Sequence, residues 1–194
     1  MADKVLGPGE LREALAAVGL ALAARAQRYE IVIVGGSALA LRGIVDRPTR
    51  DVGVVGLREG DRVAAAAQLP EPLAIAVADV ARVLDLPPDW INVGPRNLLD
   101  FGPPEGFVDR LTALRFDGLT VHVAGRRDQI AFKLYAAVDQ GPESRHYADL
   151  RALAPTSAEL LDAARWTITQ DPSPGFRSGL MAALRALGVT DVEL

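Results

Sequence analysis

Apolar positions along the chain recur at two periods, and the change from one to the other divides it into elements. From Pro8 to about Gln27, Leu11, Leu15, Val18, Leu22 and Ala26 recur at three and four, the spacing of a helix with one buried stripe. "YEIVIVGG" is a short β-branched run stopped by two glycines and predicts a buried strand. "SALALRGIV" then predicts a short helix opened by Ser37, a good capping residue, and "RDVGVVGL" a second strand. "EGDRVAAAAQL" and "VADVARVLDL" read as helices, whereas "PPDWINVGPRNLLDFGPPEGF" is rich in Pro and Gly and reads as a long irregular connection. The Asp117-Gly118 pair marks a hairpin between two short strands, and a helix capped near Asp128 follows. Two more helices, broken at Pro155, and a last one after the Pro-Ser-Pro-Gly segment complete the pattern.

This order does not supply enough regular βα units for a barrel or a doubly wound sheet. The expectation is a mixed α/β fold: a small mixed β-sheet with packed helices and a helical C-terminal part. An α/β core with its N-terminal helix is expected over residues 1–125. The helical part is expected over 126–194, packed as one body with the core.

Composition narrows the chemistry. Across 194 residues, 49% are apolar and 24% charged, the profile of a folded chain. The formal charge of -4 means that any contact with nucleic acid needs a local basic patch. Cysteine is absent, which excludes disulfides, thiolate zinc sites and cysteine nucleophiles together. Arg12 and Arg25 interrupt the N-terminal helix, and no apolar span reaches 18 residues there, so a cytoplasmic protein without a membrane partner is expected.

A glycine turn between a strand and a helix start points backbone amides at one spot, where a phosphate binds well. Here that spot lies beside Gly35, Gly36 and Ser37. The same glycines also serve a tight turn with close strand-to-helix packing. No Lys-Ser/Thr pair closes a P-loop, and "GGSALALRG" lacks the Gly-x-Gly-x-x-Gly spacing of a dinucleotide turn. Strand alternation places residues 51 and 53 on one face, next to the glycine turn of the neighbouring strand.

"GGSALALRGIVDRPTRDVG" resembles the nucleotidyltransferase superfamily that includes DNA polymerase beta, whose signature is Gly-Gly/Ser, a short helix and Asp-x-Asp on the next strand. "DQIAFKLYAAVDQGPESRHYADLRAL" is similar to the lysine helix and Asp-Leu helix of AbiEii-like nucleotidyltransferases, the toxin halves of type IV toxin and antitoxin pairs. "PDWIN" resembles a Trp and Asn segment of relatives grouped as a domain of unknown function, the DUF6036 type. The resemblance runs from about residue 30 to 155. It implies that Gly36 and Ser37 contact nucleotide phosphates, that Asp51 binds Mg2+, that Lys133 holds the triphosphate and that Asp149 is the remaining acid. It further implies a nucleoside triphosphate substrate, RNA such as the 3′ end of tRNA as acceptor, and a cognate antitoxin as partner.

Thr49 and Arg50 flank Asp51 and are candidates for phosphate or substrate contact, although Arg50 serves equally well as a solvated strand-end charge. Gly53 stands where the second aspartate belongs, so one of two metal carboxylates is missing. Asp51 can still recruit one nucleotide-bound magnesium, since that ion takes one or two carboxylates plus waters and phosphates. Asp149 or Asp109 could add an oxygen, and an aspartate introduced at 53 is expected to restore the pair. His146 and Asp149 share a helix face at i and i+3, a spacing used by metal ligands and by ordinary surface hydrogen bonds alike. Only His122 joins His146 in the chain, which argues against a histidine metal centre. Trp90 and Asn92 either line the cleft or, in the tryptophan's case, anchor a loop. Two functions compete: a metal-dependent nucleotidyltransferase acting on RNA, and a non-catalytic module that binds nucleotide, RNA or protein on the same frame.

Overall fold

Tyr29–Val34 (β1) is the centre of the sheet, and its last four residues are buried, as a strand covered on both faces requires. In the computed structural model, which describes residues 4–189, β1 pairs antiparallel with Val52–Glu59 (β2) and parallel with Leu119–Val123 (β6). Outside them lie Arg62–Ala64 (β3), antiparallel to β2, and Thr112–Phe116 (β5), antiparallel to β6. The order is β3-β2-β1-β6-β5, and Ile91–Asn92 (β4) adds a short parallel pairing at the start of β2. The fold is therefore mixed α/β, with one mixed sheet.

Alternation along the strands sends Ile31, Ile33, Val52, Val54, Val121 and Val123 into one core. Pro8–Ala23 (α1) lays Leu11, Leu15, Val18 and Leu22 on it, and Glu71–Leu84 (α3) adds Leu73, Val77 and Val80. Pro8 occupies the first turn of α1, where its missing N–H is harmless, and the Glu10 carboxylate accepts from the Gly7 N–H at 2.8 Å. The helix ends at Ala23, sooner than the apolar repeat alone predicts.

Two elements differ from the sequence reading. "EGDRVAAAAQL" is not a helix: Gly60 turns at φ 62°, and Arg62–Ala64 pairs back onto β2. Alanine's helix propensity is a weak preference that a sheet edge overrides here. The irregular connection also contains structure, namely β4 and a 3-10 helix over Gly94–Leu99.

By contacts the chain forms two units. One runs to Leu99 and takes in Val108–Ala124, so it holds the whole sheet. The other combines Asp100–Phe107 with the chain from Gly125 onward. In that second unit, Arg126–Gln140 (α4) packs against Arg145–Leu153 (α5), Ser157–Gln170 (α6) and Pro174–Ala186 (α7). Gly125, not Asp128, is the N-cap of α4; Asp128 is its third residue and is fully buried. A reciprocal pair between Thr156 and Glu159 caps α6. Phe107 meets Phe132 edge-on at 5.8 Å, Phe132 meets Trp166 at 5.3 Å, and Trp166 Nε1 donates to the Gly102 carbonyl at 3.1 Å.

Candidate functional site

Gly35 turns the chain out of β1 at φ 81°, a conformation that favours glycine, and directly opens Gly35–Leu41 (α2). The helix therefore starts two residues before Ser37, with Val34 as its N-cap. Ser37 is 1% exposed, and among the described residues its Oγ has no hydrogen-bond partner. A β-carbon added at Gly36 would lie 3.5 Å from a guanidinium nitrogen of Arg47 and 3.6 Å from Thr49 Oγ1. The Arg47 guanidinium and the Thr49 hydroxyl thus lie at ordinary contact distance from the turn.

Thr49 ties this turn to the acid. Its backbone exchanges two hydrogen bonds with Leu6, at 2.8 and 2.9 Å, which fixes the segment just before β2. Its hydroxyl donates to the Asp51 carbonyl at 3.0 Å. Val34 and Gly53 are partners across β1 and β2, so the glycine turn and the Asp51 end of β2 sit at the same end of these two strands. Arg50 is exposed.

The Asp51 carboxylate accepts from Asn92 Nδ2 through its Oδ2 at 3.1 Å. Asn92 is itself held: Nδ2 also donates to the Asp89 carbonyl at 3.2 Å, and Oδ1 accepts from the Gly94 N–H at 2.9 Å. Trp90, by contrast, is a core anchor. It is fully buried, its Nε1 donates to the Val77 carbonyl at 3.2 Å, and its carbonyl accepts from Val52 N at 2.6 Å.

The expected repair at Gly53 meets an obstacle. A β-carbon there would stand 2.7 Å from Pro95 Cγ, closer than side chains tolerate. Pro95 belongs to the 3-10 helix, and its ring cannot swing aside as a long side chain would. An aspartate at 53 therefore requires the 94–99 segment to move.

Lys133 and Asp149 occupy α4 and α5 and form a buried ion pair, Nζ to Oδ2 at 2.6 Å, with side chains 5% and 1% exposed. Each thus neutralises the other within the second unit. Asp109 is exposed in a 3-10 turn at Val108–Arg110. His122 bonds Glu30 through Nε2 at 2.6 Å. Among the described residues, no three His, Asp or Glu side chains gather as a metal site. At the start of β2 Asp51 offers one carboxylate, as many as a single magnesium ion with waters and phosphates requires and fewer than a pair of carboxylate-bridged ions requires.

Sequence reasoning missed Arg47 and underrated Asn92. The signal for Arg47 was present in "RPTRD", four residues before the acid. The signal for Asn92 was not, because its contact depends on a two-residue pairing between β4 and β2.

The family described as "Nucleotidyltransferase of unknown function (DUF6036)" matches residues 10–145. No curated protein and no solved structure matches the chain. No helix among the described residues is long and apolar enough to cross a membrane.

Proposed function

The chain belongs to this nucleotidyltransferase family of unknown function, and from that premise we propose that it binds a nucleoside triphosphate at the Gly35-Gly36-Ser37 turn and transfers the nucleotide to RNA. The observation that carries the reading is Thr49, whose hydroxyl lies against Gly36 and also bonds the backbone of Asp51, so that turn, cation and acid lie at one end of β1 and β2. In the proposed complex Arg47 and Thr49 face the phosphates, Arg50 meets the acceptor strand, and Asp51 holds a single Mg2+. When bound, that ion would neutralise phosphate charge. Lys133 and Asp149 keep the expectation that the resemblance attached to them, triphosphate holding and acid, only where their mutual pairing opens.

In the transfer, an acceptor hydroxyl oxygen bonds to the α-phosphorus. The bond from that phosphorus to the bridging oxygen of the β-phosphate breaks, pyrophosphate leaves, and the hydroxyl proton passes to water. Binding alone orients the reactants, and orientation with charge neutralisation supplies most of what such chemistry needs. The AbiEii-like resemblance extends the proposal to the 3′ end of tRNA as acceptor, to an antitoxin protein as partner and to a cytoplasmic setting.

A second reading is favoured by one observation, the Pro95 ring against Gly53: a module that binds triphosphate and RNA without transfer. Incubating the chain with Mg2+, each labelled triphosphate and total RNA separates the two. Labelled RNA that disappears with Asp51→Ala supports transfer; retention of triphosphate in equilibrium dialysis without labelled RNA supports the module. A chain that neither retains nor transfers any of the four triphosphates overturns both.

A further inference from the structure

We propose that the Asn92–Pro95 segment takes over the place of the second carboxylate: Asn92 positions Asp51 through its amide, and Pro95 closes the space above Gly53. The site then presents one carboxylate by construction and is not an interrupted pair waiting for repair.

Three observations carry this. Asn92 and Gly53 are aligned across the parallel pairing of β4 and β2, so residue 92 lies beside the backbone position from which the second acid would project. Both of its amide N–H groups are used. One N–H reaches Asp51 Oδ2 and the other the Asp89 carbonyl, while Oδ1 takes the Gly94 N–H, which also fixes which end of the amide faces the acid. With both donors spent on Asp51 and the Asp89 carbonyl, Asn92 acts through the acid it holds, so it is a positioning residue. Finally, Pro95, three residues on, stands where the β-carbon of residue 53 would project. The same short segment thus supplies a neutral donor to the first acid and excludes a side chain from the position of the second.

The inference rests on the proposed nucleotide site only in taking Asp51 as the ligand-facing acid, and its tests use no nucleotide. In urea denaturation of the full chain, Gly53→Ala lowers stability, and Pro95→Gly in the same chain recovers most of that loss. The two changes are then strongly non-additive, as contacting residues are. In a titration with Mn2+ followed by the electron paramagnetic resonance of the free ion, Asn92→Asp places a carboxylate next to Asp51. It binds about tenfold more tightly than the parent, because cation affinity follows the number of charged ligands. Gly53→Asp alone disturbs the segment that holds Asp51 and gains no Mn2+ affinity, whereas Gly53→Asp with Pro95→Gly gains it. Additive effects at 53 and 95 overturn the proposal, and so does a Gly53→Asp chain that binds Mn2+ as tightly as Asn92→Asp. Should Asn92→Asp fail to fold, the 53 and 95 cycle alone decides. A parent chain that binds no triphosphate overturns the proposed function and leaves both tests standing.

Discussion

At the scale of single residues, burial decides what a charge can do. Lys133 and Asp149 bond each other at 2.6 Å with almost no exposure, so removing either partner takes from the other a buried counter-charge. Lys133→Met is expected to lower unfolding stability by about 3–5 kcal/mol, and adding Asp149→Leu to recover much of it, since well-packed apolar replacements of a buried pair are often neutral. Chemical denaturation of the three variants checks this, and a single variant as stable as its parent would refute it. Loss of activity in a Lys133 variant therefore reports on folding unless stability is measured beside it. The sequence could not show this pairing. The two residues are 16 apart on different helices, and the resemblance gave them separate roles, triphosphate holder and remaining acid. What was legible at this scale was the adjacency of the glycine turn and Asp51, because two apolar strands joined by one short helix leave few other pairings. The Pro95 contact was not, since nothing local in "NVGP" says which strand its ring will meet.

At the scale of elements, the junction between α5 and α6 is held by polar groups and so depends on pH. Arg126 donates to the carbonyls of Leu153 and Ala154 at 2.6 and 3.1 Å, covering the end of α5, and it also pairs with Glu159 in the first turn of α6. The Thr156 N–H, and after it the Arg126 guanidinium, hold the Glu159 carboxyl below its ordinary value. A depressed carboxyl contributes its stability in full above its unfolded pKa and loses it as pH falls through the folded one. Thermal melts between pH 6 and pH 3.5 are therefore expected to show the parent losing more than Glu159→Gln. The extra loss is at most about 1 kcal/mol for so exposed a pair, or roughly 2–4 °C in Tm. Equal losses would mean that the junction is held by packing alone. The capping box that creates this sensitivity was readable as Thr156 and Glu159 at their spacing of three. The β3 hairpin was not, because a run of alanines speaks for a helix until a strand edge is available to it.

At the scale of the whole molecule, the chain passes from one unit to the other and back before it stays in the second: Asp100–Phe107 leaves the first unit and Val108–Ala124 returns to it. Neither unit is a single stretch of sequence, which no local pattern could reveal, and a boundary drawn once along the chain does not separate them. The order of synthesis gives this a consequence. Phe107 is 1% exposed in the finished protein, yet its ring partner Phe132 and the Trp166 indole that bonds Gly102 leave the ribosome later, after the last sheet hairpin. During that interval the Phe107 ring lacks Phe132 and the Gly102 carbonyl lacks the indole N–H. A fragment ending at Ala124 is fixed in this half-made state, so it is expected to bind a hydrophobic dye such as ANS and to be cut by chymotrypsin within 100–107, whereas the full chain resists there. Translation itself thus holds a window in which this loop is open to a chaperone or a protease, and the window closes only when the final helices arrive.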